Sequence, residues 1–272
     1  MALRKNIRNL SPNELSKFRE AHRRIMSRID NQSYQYIAGR HGWLDEYCEH
    51  QPKRDELGRR LDLFLPWHRA YMYHFERYLQ IAMGDDSIGL CWWNWRSPTS
   101  ESEGIPRAYS ERNVNSQPNP LYKFRMNFRG RTRSGRNVTV NKDTEREVGV
   151  FTTIRRIREQ AVAAEADIPQ LNRIDDFVEF SERLRGWWHN NIHMYIGGEM
   201  SDPNLAAYDP IFYPHHSNID RIWAIWQIDH GGVDNVPNYL KDVVLRPFSM
   251  TVRNVLDING LEYQYASGVG GV

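Results

Sequence analysis

The sequence predicts a mainly α-helical protein with long loops and a few short strands. Apolar residues recur at helical spacing in five separate stretches, several of which begin or end at capping residues. The stretch 96–147 is instead rich in Ser, Pro, Asn, Gly and Arg, a composition typical of loops. With 272 residues, 40% of them hydrophobic, the chain can bury a sizeable core. We therefore expect a single domain spanning residues 1–272.

The first helix is predicted by a capping box at residues 11–14, where the sequence reads SPNE. Serine stands at the N-cap, proline at the first helical position, and glutamate three residues after the serine. Leu15, Phe18, His22 and Ile25 follow at helical spacing, which predicts a helix to about Asp30.

The remaining elements follow from similar signals. We expect helices from Pro66 to Gly84, over 149–164, from Asp175 to Tyr195 and from Pro214 to Gly231. The stretch NFRGRTRSGRNVTV predicts a hairpin that turns at Ser134-Gly135, and the alternating tail predicts short strands.

The charge balance gives no reason to expect a nucleic-acid or membrane partner. Lysine plus arginine number 36 and aspartate plus glutamate 34, a formal net charge of +2. The first 15 residues have no apolar core typical of a signal peptide, and no stretch reaches the roughly 18 apolar residues of a membrane span. We expect a cytoplasmic protein, with export alongside a partner left open.

Eight of the ten histidines fall into two groups, at 41–74 and 189–216. His189 and His193 are four residues apart, so both imidazoles lie on one face of a helix and can reach one ion. Asn190 stands where a zinc protease would carry its general-base glutamate, which excludes that class. Nitrogen ligation without carboxylates suits copper or zinc. Two three-histidine sites meeting in one bundle would form a binuclear centre.

Three motifs resemble those of the type 3 copper proteins, the family of tyrosinases, catechol oxidases, o-aminophenol oxidases and haemocyanins. FLPWHRAYMYHFERYL resembles the first-copper signature, and WWHNNIHMYIGGEM and DPIFYPHHSNIDRIW resemble the two parts of the second. The resemblance implies a four-helix bundle holding two copper ions. It assigns one copper to His41, His50 and His68, and the other to His189, His193 and His216, with His215 as a neighbour of the ligands.

The chain departs from the family pattern at the second ligand of the first copper. Many relatives carry that ligand nine residues before the PWH histidine, where this chain has Arg59, and the nearest histidine is His50. The Cys48-Glu49-His50 sequence resembles a family arrangement in which the cysteine sulfur is bonded to the histidine ring. It implies a thioether between Cys48 and His50; otherwise Cys48 is a small buried hydrophobe.

The resemblance also implies roles around the copper ligands. Asn190, with Glu182 as the candidate glutamate, would position a water that deprotonates an incoming phenol; Glu182 could equally lie on a solvated helix face. Phe212 would shape the copper pocket, and Met194 and Pro203 would line its mouth, where Met194 predicts a less polar entrance.

The function implied is oxidation of phenols by dioxygen, with ortho-hydroxylation of monophenols and oxidation of o-diphenols to o-quinones. A catechol or o-aminophenol oxidase without the hydroxylation step shares the ligand set, and a haemocyanin-like oxygen carrier belongs to the same family. Carriers shield the copper pair with an additional domain, and only 56 residues follow His216. We therefore expect no C-terminal shielding domain and an enzyme acting on small phenols, with a copper-delivery protein left open as a partner.

Overall fold

The computed structural model describes residues 1–49 and 53–266, and it confirms the mainly α-helical class. The helices are α1 (Pro12–Ser27), α2 (Tyr34–His41), α3 (Phe64–Met83), α4 (Pro98–Glu103), α5 (Arg107–Ser110), α6 (Ile154–Ala163), α7 (Ile168–Leu171), α8 (Phe177–Arg183), α9 (Asn190–Ile196), α10 (Phe212–Asp229), α11 (Asn238–Lys241) and α12 (Val252–Val255). A π-helical turn, Leu184–His189, joins α8 to α9.

The strands are short and form two-stranded pairs. They are β1 (Ala2–Arg4), β2 (Lys53–Arg54), β3 (Arg60–Leu61), β4 (Asn113–Val114), β5 (Gln117–Pro118), β6 (Arg125–Arg131), β7 (Asn137–Asp143), β8 (Val244–Leu245), β9 (Met250–Thr251) and β10 (Tyr263–Tyr265). The parallel pair β1 and β10 joins the two ends of the described chain. The β6–β7 hairpin has Arg131 opposite Asn137, so it turns where the sequence predicted.

Helix α1 begins with the predicted capping box. The backbone N–H and hydroxyl of Ser11 donate to Glu14 Oε2, each at 2.9 Å, and the backbone N–H of Glu14 donates to the Ser11 hydroxyl at 3.3 Å. These bonds satisfy N–H groups that have no partner inside the helix, and such a cap is worth about 1 kcal/mol.

Helices α3 and α10 form the centre of the core and carry the histidines of two sequence motifs. The rings of Phe75 on α3 and Tyr213 on α10 stack with centroids 3.5 Å apart. Trp67 and Tyr71 stack along the same side of α3, and all four rings are buried. Large aromatic rings contribute most of the area buried in such a core, so this contact fixes the two helices relative to each other.

A buried ion-pair network joins the same two helices to the ends of the chain. Arg69 Nε on α3 donates to Asp220 Oδ1 on α10 at 2.5 Å. Arg4 Nε on β1 donates to Glu76 Oε2 at 2.9 Å, and Arg4 Nη1 donates to Asp220 Oδ2 at 3.1 Å. The Tyr265 hydroxyl on β10 also donates to Asp220, at 2.6 Å. Buried charges need such partners, because an unpaired one is strongly unfavourable.

Among the described residues, no helix combines the length and apolarity that crossing a membrane requires.

Candidate metal centre

Four buried histidines come together from two helical segments. His189 ends the π turn, His193 lies within α9, and His215 and His216 lie in the first turns of α10. One ring nitrogen from each lies within 4.8 Å of the others. Imidazole nitrogens that lie this close together can bind a single transition-metal ion.

Hydrogen bonds at Nδ1 orient three of the rings of the centre. His193 Nδ1 lies 2.6 Å from the carbonyl oxygen of Met200, and His68 Nδ1 lies 2.8 Å from that of Phe64. His189 Nδ1 lies 2.9 Å from Oδ1 of Asn190. A carbonyl oxygen accepts, so Nδ1 carries the proton and Nε2 keeps its lone pair for a metal. Metal-bound histidines are usually held in this way.

Burial keeps three of these four histidines neutral. Loss of hydration lowers the pKa of His193 to about 4, and burial together with the neighbouring imidazoles lowers the pKa of His215 and of His216 well below the ordinary value. Neutral imidazole is the form that binds a metal, so this environment suits ligation at neutral pH.

A second set of candidate ligand atoms comes from His41 at the end of α2, His68 on α3, and Cys48 in the loop between them. These atoms also lie within 4.8 Å of one another, with Cys48 Sγ 3.4 Å from His68 Nε2. His50, the third ligand implied by the resemblance, lies outside the described residues. The Cys48–His50 thioether therefore stays a prediction.

The two groups face each other across a narrow space. The His68 and His216 rings stack with centroids 4.5 Å apart and planes 12° apart. Nε2 of His193 and Nε2 of His216 are 3.2 Å apart. Phe212, predicted to shape the pocket, is fully buried and stacks on His216 at 4.0 Å, while its ring also meets that of His41 at 4.8 Å.

The other predicted site residues are at least partly exposed. Positions 182, 186, 190 and 194 recur every fourth residue, and each is at least partly exposed, with Met194 40% exposed. Asn190 is exposed and contacts His189. Glu182 forms ion pairs with Arg60 and, at 3.6 Å, with Arg185; the Arg60 contact lowers its pKa. Pro203 is exposed just after the turn that contains Met200.

His215, which the resemblance implies is a neighbour of the ligands, has a ring nitrogen in the four-histidine set, and its ring stacks on His189. Phe64 was not among the predicted site residues. Phe64 places its ring 4.7 Å from both His68 and His189. The spacing of Phe64 from His68, four residues on one helix face, was the available signal for this contact.

Comparison with known proteins identifies the family. A family model described as the common central domain of tyrosinase matches residues 31–229, which contain both histidine groups. The chain belongs to the type 3 copper protein family. Members of this family hold a binuclear copper centre, and the buried histidine cluster is consistent with such a site.

The relatives of this type 3 copper protein include both oxygen carriers and enzymes. The chain is 30% identical over 276 residues to the G-type haemocyanin, units Oda to Odg, of Enteroctopus dofleini, covering 93% of this chain and 8% of that protein. It is 28% identical over 203 residues to the tyrosinase of Streptomyces glaucescens, covering 67% of this chain and 69% of the relative.

Solved structures have the same fold. Deoxygenated haemocyanin from Rapana thomasiana matches with a TM-score of 0.75 at 21% identity, over 98% of this chain and 69% of that one. A copper-bound mutant of the active tyrosinase of Aspergillus oryzae, complexed with L-tyrosine, matches with a TM-score of 0.70 at 21% identity, over 98% and 92%. The chain thus spans less than a tenth of the octopus haemocyanin but most of this fungal tyrosinase.

Proposed function

We propose that this chain is a tyrosinase that hydroxylates monophenols at the ortho position and oxidises o-diphenols to o-quinones with dioxygen. One copper would be held by His41, His50 and His68, and the other by His189, His193 and His216. The observation that carries the proposal is the position of the second ligand pair. His189 and His193 are buried, while Asn190 and Met194, the residues that follow them, are exposed.

We infer that a phenol would approach the copper ligands from solvent along this side of α9. The copper pair supplies the redox chemistry that couples oxidation of the phenol to reduction of dioxygen. Phe212 and Phe64 contact the ligand rings and would limit the access of water to the space between them. Met194 gives the approach an apolar edge that suits an aromatic ring.

Asn190 would act on both the ligand and the substrate. Its Oδ1 accepts the Nδ1 proton of His189 and fixes that ring. Its exposed amide nitrogen can donate to a water that takes the phenol proton. Glu182 would help to orient this water as a hydrogen-bond acceptor. Its pKa is lowered by Arg60, which makes it a weaker base and favours this orienting role.

The substrate class has support from the fungal relative, whose structure is a complex with L-tyrosine. The haemocyanin relatives support the alternative, an oxygen carrier that does not oxidise phenols. A catechol or o-aminophenol oxidase is the third outcome, because it uses the same histidines.

The ratio of dioxygen consumed to quinone formed separates these functions. A monophenol converted to its o-quinone consumes one dioxygen and releases one water, whereas two o-diphenols consume one dioxygen and release two waters. We expect copper-loaded protein to consume one dioxygen per o-quinone from tyramine and half as much from the matching catechol. Uptake with the catechol alone would assign a diphenol oxidase. Reversible oxygen binding with neither substrate oxidised would assign a carrier.

Replacing Asn190 tests its two roles separately. Asn190→Ala removes the acceptor for His189 and is expected to lower monophenol turnover about 10- to 100-fold. Asn190→Asp keeps an oxygen acceptor at this position but no amide donor, so copper binding is expected to persist while monophenol turnover falls. Asn191→Ala, on the neighbouring position of α9, is the matched control. Equal turnover of tyramine by the unsubstituted protein and the three variants would contradict the roles assigned to Asn190.

A further inference from the structure

His41, Cys48 and His68, here the first metal group, depend on the loop that follows α2. Residues 42–48, here the ligand loop, connect His41 at the end of α2 to Cys48. The loop turns back on the helix: the N–H of Tyr47 donates to the carbonyl of Arg40 at 3.1 Å, and the N–H of Cys48 to that of His41 at 3.2 Å. This turn brings Cys48 Sγ to 3.4 Å from His68 Nε2.

One side of the ligand loop is fixed by the segment before α10. The N–H of Trp43 donates to the carbonyl of Asn204 at 3.0 Å, and the Tyr208 hydroxyl donates to the carbonyl of Trp43. The backbones approach so closely that a Cβ on Gly42 would lie 2.1 Å from the carbonyl oxygen of Asn204. Only glycine fits at this position.

The other side is held by residues 130–136, here the hairpin tip, where β6 turns into β7. The N–H of Arg133 donates to the carbonyl of Leu44 at 3.0 Å. The backbone N–H and the hydroxyl of Ser134 donate to the two carboxylate oxygens of Glu46, at 2.7 and 3.0 Å. Glu46 itself has a positive φ of 52°, a conformation that needs support from its surroundings in a residue other than glycine.

Side-chain packing adds to these bonds. The Arg133 guanidinium lies 4.5 Å from the centroid of the Tyr47 ring, and the Arg136 guanidinium lies 5.1 Å from that of Trp43. Both distances are within the range of cation–π attraction. A Cβ on Gly130 would lie 2.8 Å from Leu44 Cδ1, so the strand passes directly against the loop.

These contacts give a role to a basic segment that the copper site does not otherwise use. Residues 123–142 contain seven lysines and arginines and no acidic residue. Arg133 and Arg136 lie over aromatic rings of the ligand loop. Ser134, between them, donates to Glu46 of the same loop. The charge of the tip is thus matched to the loop beside the first metal group.

We propose that the hairpin tip positions the ligand loop for copper binding by the first metal group. Glu46 and Arg133 are the positioning residues, and neither belongs to the candidate ligand sets. The proposal rests on the copper ligation proposed above, but not on which phenol is oxidised. Without the tip, ordering the loop would oppose binding of the copper at His41 and His68, while the site at His189, His193 and His216 would be unaffected.

Copper titration in a chelator buffer tests the proposal. We expect Glu46→Ala and Arg133→Ala to weaken one of the two copper-binding steps about 10- to 100-fold and to leave the other unchanged. Glu103→Ala is the matched control. Glu103 is an exposed glutamate that pairs with Arg8, and it lies outside both the ligand loop and the hairpin tip. Unchanged affinity at both steps would overturn the proposal, as would equal weakening of both.

Hydrogen exchange of the copper-free protein provides a readout that needs no metal. The amides of residues 45–48 are expected to exchange at least about 10-fold faster in the two variants than in the control, because their bonds to the carbonyls of residues 39–42 open more often. Unchanged exchange would overturn the positioning role. If the unsubstituted chain took up no copper while the variants still showed faster exchange, the copper ligation would fail and the contact between tip and loop would stand.

Discussion

At the residue scale, a hydrogen bond at Nδ1 orients three of the imidazoles of the metal centre. His68, His189 and His193 each have an oxygen at Nδ1, and two of these oxygens are backbone carbonyls. For His68 and His193 the tautomer, and with it the direction of the Nε2 lone pair, is therefore set by backbone geometry. Substituting the carbonyl residue would leave the bond in place, which makes these contacts insensitive to the sequence at Phe64 and Met200.

The sequence predicted which histidines come together better than it predicted their partners. Spacing alone put His189 and His193 on one face, and both belong to the observed set. The contact of His193 with Met200 depends on the turn after Gly197, which has a φ of +67°. The pairing of Glu182 with Arg60 joins residues 122 positions apart. Neither follows from a local pattern.

His22 shows the effect of burial on a histidine away from the centre. Loss of hydration lowers its pKa from 6.5 to about 4, and its Nδ1 bonds to the carbonyl of Phe18. Between these two pH values the unfolded chain takes up a proton that the folded chain does not. The contribution to stability is therefore complete above about pH 6.5 and is lost as the pH falls towards 4.

We expect His22→Leu to reduce the fall in the free energy of unfolding of copper-free protein between pH 7 and 4 by on the order of 3 kcal/mol. Phe18→Leu, which removes volume from the same contact without removing a titratable group, is expected to lower stability equally at both pH values. Urea unfolding measures both variants. If the free energy of unfolding of His22→Leu fell between pH 7 and 4 by as much as that of the unsubstituted chain, this account would be contradicted.

At the element scale, α3 and α10 are held together by charge as well as by aromatic packing. Asp220 follows His216 by one helical turn, and Arg69 directly follows His68. Their ion pair therefore fixes the register of the two helices that place one ligand in each metal group. Arg4 adds the N-terminal strand to the same carboxylate.

Asp220→Asn is expected to lower the free energy of unfolding by about 3–5 kcal/mol, because it leaves two buried arginines with one acidic partner fewer. Asp242→Asn is the matched control, since Asp242 is 80% exposed in its pair with Arg253 and should change stability by less than about 0.5 kcal/mol. Chemical denaturation of the two variants gives the comparison. Similar losses in both would show that the buried network does not join the helices.

The long helices were predictable and the irregular joins were not. The capping box fixed the start of α1, and a glycine in the left-handed conformation ends α3 at Gly84, as expected. The helix predicted over 175–195 is interrupted by the π turn at Leu184–His189, which no propensity indicates. Helix α2 and the β1–β10 pair were also missed, because α2 is only eight residues long and the strands pair across the whole sequence.

At the scale of the whole molecule, the fold brings together two histidine groups separated by more than 100 residues. His68 and His216 are in contact because α3 packs against α10. The ligand loop lies beside them because it is bonded on one side to the hairpin tip and on the other to the segment near Asn204. The centre is thus formed by segments from both halves of the chain that pack against each other.

The position of bound copper tests the central claim most directly. Anomalous X-ray diffraction at the copper absorption edge, from copper-loaded crystals, is expected to show two peaks. One should lie among His41, His68 and the segment that carries His50, and the other among His189, His193 and His216, where His216→Ala should remove it. A single peak centred on the four-histidine set, or copper bound only outside these groups, would contradict the binuclear site.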